Sequence, residues 1–162
     1  MNSSSIFGLQ FLLSLLAWSL TLGLLLRPRL ARLGRREALL LLTLPHAFRH
    51  VGMSFLVPGV VDQALPLDFA GPAAYGDLLA GLIALVTLLA LHQRWPGALG
   101  LVWMLSIVGS LDLLNALRHT DVSALMGSTW YIPTFLVPLL LVTHFMSFRR
   151  LMTPDQEPAF CR

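Results

Sequence analysis

Five apolar runs of about twenty residues govern what this chain can fold into. They cover about 6–26, 38–61, 75–91, 98–117 and 130–148. A helix needs about 20 residues to cross the roughly 30 Å hydrocarbon core of a bilayer, and each run meets that length, the third being shortest. A helix also satisfies its own backbone, which lipid cannot do for it. The expected fold is therefore an all-α integral membrane protein, with five transmembrane helices in one bundle over residues 1–152. A polar cytoplasmic tail follows at 153–162.

Composition supports lipid as the solvent. The chain is 56% hydrophobic and 12% charged, whereas soluble domains run at about 45–50% apolar and about 25% charged. The first run has no basic residue before it and no small-residue cleavage site after it, and is too long for a signal core, so it reads as a retained span. The single cysteine, Cys161, lies in the tail, which excludes a disulfide frame or a Cys metal site within one chain. All 11 basic residues are Arg. That excludes Schiff-base chemistry, including a lysine-bound retinal.

The connectors set orientation. Arg27, Arg29, Arg32, Arg35 and Arg36 follow the first run, Arg94 the third, and Arg149, Arg150 and Arg162 the fifth. The other connectors carry Asp62, Asp68 and Asp121, with Arg118 as their only basic residue. Positive charge gathers on the cytoplasmic side, so the N-terminus is expected outside and the C-terminus in the cytoplasm of a multi-pass inner (plasma) membrane protein. The Arg-rich first loop reads as this topology signal, meeting anionic lipid headgroups rather than nucleic acid. The turn His92-Gln93-Arg94-Trp95-Pro96-Gly97 makes the third and fourth spans antiparallel neighbours. No internal repeat marks an inverted-repeat transporter.

At 100° per residue each span shows a distinctive face. Gln10, Ser14, Ala17 and Thr21 form a small, polar stripe on the first span, of the kind that faces other helices. Gly76, Ala80 and Ala84 form a small ridge on the third, with Asp77 at its outer end. His46, Arg49, His50 and Met53 share an arc of about 100° on the second, and Asp112, Asn115 and His119 an arc of about 60° on the fourth. Pro133 and Pro138 interrupt the fifth, which also carries His144.

Ionisable groups at such depth are costly, roughly 2.5–3.5 kcal/mol each on insertion scales, and need a partner or a job. Arg49 and Asp112 fall at compatible depths and are expected to pair. The candidate site is Arg49, His50, Asp112 and Asn115, binding or passing a small ligand or proton. His46 and His50 have the i, i+4 spacing of a metal-binding helix face, but without a third ligand or a carboxylate base. His46 and His144, at similar depth on different spans, are candidate axial ligands of a b-type haem. A redox subunit holding haem or quinone is thus one rival reading. An accessory subunit that docks a membrane protein partner is another. No nucleophile or phosphate-loop motif assigns an enzyme activity.

Overall fold

The computed structural model describes residues 2–153. The rest of the tail, with Cys161 and Arg162, and the side chains of Thr120 and Asp121 lie outside the described residues. The described residues are helical, without a strand. Five helices are long and apolar enough to cross a membrane: α1 (Ser3–Leu30), α2 (Arg35–Leu56), α3 (Leu67–His92), α4 (Ala98–Ala116) and α5 (Gly127–Met152).

Local chemistry sets their ends. Asn2 caps α1, its Oδ1 accepting from the Ser5 amide at 2.9 Å, so the helix starts ahead of the apolar run. α3 starts at Leu67 rather than at Tyr75, because Pro66 and Asp68 suit a first turn that needs no amide partners and favours negative charge. The tight turn into α4 places Arg94 at φ 57° and Gly97 at φ 84°, left-handed values that glycine adopts without strain. α3 and α4 pack side by side, as that turn requires.

α2 departs most from ordinary helix. It is α-helical over Arg35–Thr43 and then 3-10 over Leu44–Leu56. Runs of 3-10 helix beyond 3–4 residues are uncommon. Pro45 sits at the changeover, where its missing N–H removes an α bond. With three residues per turn, every third side chain eclipses the last. Thr43, His46, Arg49, Gly52 and Phe55 accordingly form one buried ladder, while Phe48, His50 and Val51 face out. In α5, Ile132–Leu136 form a π turn just before Pro138, giving room where the ring would press on the Thr134 carbonyl.

α2–α5 enclose the core, and α1 lies along the outer side of α5. The polar stripe of α1 does not face the bundle: Gln10, Ala17 and Thr21 are exposed, and over Ser3–Thr21 only Phe7 is buried. Gln10 still finds a partner, accepting from Trp130 Nε1. Near the Arg-rich end the core is an apolar plug that includes Leu39, Ala90, Leu91 and Val102. At the opposite end a second cluster gathers Phe7, Phe55, Phe69, Met126 and Ile132. The polar groups lie between the two.

Candidate functional site: a buried arginine between two carboxylates

The 3-10 ladder of α2 aims Arg49 into the bundle, where its side chain is 0% exposed. Nε donates to Asp77 Oδ1 at 2.7 Å, Nη2 to Asp112 Oδ2 at 2.5 Å, and Nη1 to the Gly109 carbonyl at 3.2 Å. One guanidinium thus joins α2, α3 and α4. Each contact is charge-assisted or buried, the class of hydrogen bond that holds geometry best.

Three glycines make the space. A Cβ on Gly52 would overlap the Asp77 carboxylate, and one on Gly76 the Asp112 carboxylate. A Cβ on Gly109 would lie 2.5 Å from His144 Nε2 and 2.8 Å from Arg49 Nη1. Each glycine permits a polar group to press against a neighbouring backbone.

Asp77 is the member of the cluster that the apolar runs miss. Counted from Tyr75 it falls at a helix end. Counted from Leu67, the observed start, it lies about 15 Å along the helix at 1.5 Å per residue, near mid-depth. The signal was Gly76 beside an acidic residue on an otherwise apolar, small-residue face.

His50 does not join the cluster. It is exposed, and its Nδ1 lies 3.2 Å from the Ala47 carbonyl. The α-helical arc placed it beside Arg49, but 3-10 winding puts adjacent residues about 120° apart. Asn115 is exposed and lines a small recess with Asp68, Asp112 and His119 at the end opposite the Arg-rich one. Asp112 faces this recess. Asp77 faces a larger groove of about 210 Å³ between α2 and α5, where, among the described residues, it and Arg49 are the only charged groups beside apolar ones such as Phe48, Val51, Leu136 and Leu140.

Beneath Arg49, the His46 and His144 rings lie against each other, centroids 4.0 Å apart and planes 35° apart. The Thr143 hydroxyl lies 3.0 Å from His46 Nε2, and at the same distance from the Leu139 and Leu140 carbonyls, which accept from it. His46 Nδ1 and His144 Nε2 are buried without a partner. Rings in contact leave no room for a porphyrin between them, so this arrangement does not fit axial ligation of haem from opposite faces. His46 and His50 point different ways and do not form a chelating face. Among the described residues, no three His, Cys, Asp or Glu side chains group as a metal site.

A family model described as a domain of unknown function, DUF8737, matches residues 6–152, and the chain belongs to that family. No curated protein and no solved structure matches it.

Proposed function

We propose that this DUF8737 chain is a multi-pass inner-membrane protein, N-terminus outside and C-terminus cytoplasmic. Its Arg49–Asp77–Asp112 cluster forms the polar end of a binding site for a small, lipid-soluble molecule. The exposed surface supports the membrane part: Leu12 is 62% exposed and Leu24 71%, amid a near-continuous apolar coat that water would not tolerate. The Arg asymmetry supports the orientation.

The observation that carries the ligand reading is the groove between α2 and α5. At about 210 Å³ it is smaller than the 300–1,000 Å³ usual for a whole ligand. It suits the polar end of a molecule whose apolar remainder stays in lipid. With all three groups ionised the cluster carries one net negative charge, because two carboxylates face one guanidinium. The second oxygen of each carboxylate accepts no bond from any described residue. A ligand bearing a proton donor or a positive charge at its polar end would meet both conditions. Asp112, facing the outer recess, would exchange protons with water while Asp77 meets the ligand.

The rival is a cluster that only fixes helix register, as buried ion pairs often do. Mass spectrometry of the protein extracted in mild detergent separates the two. A small molecule should co-purify with the native chain. It should be lost from Val51→Trp, which fills the groove from an exposed position, without a change in melting temperature. A native chain that carries no small molecule other than bulk phospholipid leaves the register reading.

A further inference from the structure

Far from the carboxylates, at the Arg-rich end, α1, α2 and α5 leave an open cleft of about 160 Å³. Arg27 of α1 and Arg149 and Arg150 of α5 line it, together with Leu30, Leu42 and Met146. The two long helices run in the same direction, so arginines more than a hundred positions apart in sequence meet at one end. Arg27 and Arg149 are exposed, whereas Leu30 and Leu42 are buried. The cleft is thus basic where it is open and apolar where it is closed.

Its electrostatics are unbalanced. Among the described residues no acidic side chain lines it. Three guanidiniums around one space repel one another, and among the described residues no charge in the lining offsets them. Arg150 is also held in place: its Nη2 donates to the Leu33 carbonyl at 2.6 Å, while its Nε is buried with no partner. A buried donor without an acceptor is costly, and an anion's oxygens would supply acceptors to a set of donors that has too few.

We infer that this cleft binds the phosphate group of an anionic glycerophospholipid. Guanidinium forks match phosphate oxygens, and Arg keeps its charge at any physiological pH. The apolar floor distinguishes a lipid from a soluble phosphate compound, because Leu30, Leu42 and Met146 can lie against the glycerol carbons and the first methylenes of the chains. The cleft's place at the ends of membrane-length helices is the headgroup level. There, basic side chains attract anionic lipid at roughly fivefold in affinity per Arg. At about 160 Å³ the cleft has room for a phosphodiester, and its open side leaves the rest of the lipid outside.

The test uses the full chain in mild detergent, with native mass spectrometry and thermal melts in the presence of dioleoyl phosphatidylglycerol or dioleoyl phosphatidylcholine. The native chain should retain phosphatidylglycerol and melt higher with it, and do neither with phosphatidylcholine. Arg27→Gln/Arg149→Gln removes two exposed arginines and should weaken phosphatidylglycerol binding roughly thirtyfold, with the melting temperature in detergent alone unchanged. Arg32→Gln/Arg94→Gln removes the same charge from two arginines that do not line the cleft and should change binding little. Equal loss in both variants would mean that only net charge matters, and would overturn the site. Inorganic phosphate that stabilises the chain as well as the lipid does would assign the cleft to a soluble compound, and would overturn the lipid. The inference rests on the membrane reading, which resistance of the chain to alkaline extraction from membranes tests separately. A chain that stays in alkali-washed membranes yet shows no preference for phosphatidylglycerol sinks this inference alone.

Discussion

α1 and α3 have the same mean hydropathy, 2.0, over their most apolar stretches, yet none of that stretch is buried in α1 and 44% is buried in α3. Side-chain size accounts for the difference. The buried face of α3 is built mostly from small residues, Ala70, Ala73, Ala74, Ala80, Gly81, Ala84 and Ala90, which let neighbouring backbones approach. The surface of α1 is mostly leucine, standing outward. Among helices this apolar, hydropathy tells which segments are long enough to span, but not which of them make the core. Small residues and stray charges tell that.

The sharpest way to break this contrast is through the charge that α3 holds. Arg49→Met leaves Asp77 and Asp112 facing each other without their cation, and should cost about 3–5 kcal/mol in unfolding from detergent micelles. Arg49→Met/Asp77→Asn/Asp112→Asn should be clearly milder, since no charge is then stranded. Equal losses would mean that the three groups do not interact.

Next come the close contacts. Gly109→Ala pushes a methyl into His144 Nε2 and Arg49 Nη1, and Ala84→Leu overfills a position with no exposure. Each should cost about 1–3 kcal/mol in the same assay. A Gly109→Ala protein as stable as the native chain would show that the histidine and arginine can retreat together, and that the glycine is not needed.

The smallest expected effect belongs to α1. Leu16→Ala removes a large, exposed apolar side chain and should change stability by less than about 0.5 kcal/mol. A loss matching that of Ala84→Leu would show that α1 is covered by something, and that α1 and α3 do not differ in burial. A fourth measurement sharpens orientation. Asn115→Cys should react with a membrane-impermeant thiol reagent applied outside intact cells, while Ala84→Cys should not. Labelling of neither, or only after the membrane is broken, contradicts an outward-facing recess.

Much of this was legible in the residues. The five runs gave the five long helices, because length and hydropathy are local quantities. The Arg49–Asp112 contact followed from depth, since two charges at one level in an apolar bundle have few other places to go. The rest was hidden by geometry that propensity does not encode. His50 was drawn to Arg49 by α-helical angles, and the 3-10 winding after Pro45 turned it away. Asp77 was hidden by proline-containing residues that read as loop but form the first turns of α3. The α1 stripe was read as a packing face because sequence alone does not tell an edge helix from a central one.

The 3-10 stretch of α2 has a consequence of its own. Over Leu44–Leu56 the chain is written in a frame of three, each third residue falling on one straight line. Losing one residue just before His46 would move Ala47, His50, Met53 and Leu56 onto the line that His46, Arg49, Gly52 and Phe55 now occupy. The guanidinium would turn outward and the two carboxylates would face a backbone with no cation. Losing three residues would keep the frame and shorten the segment by about 6 Å. The spacing within this segment is therefore held more tightly than the identity of its outward residues, and a change of length by one is the least tolerable change it can suffer.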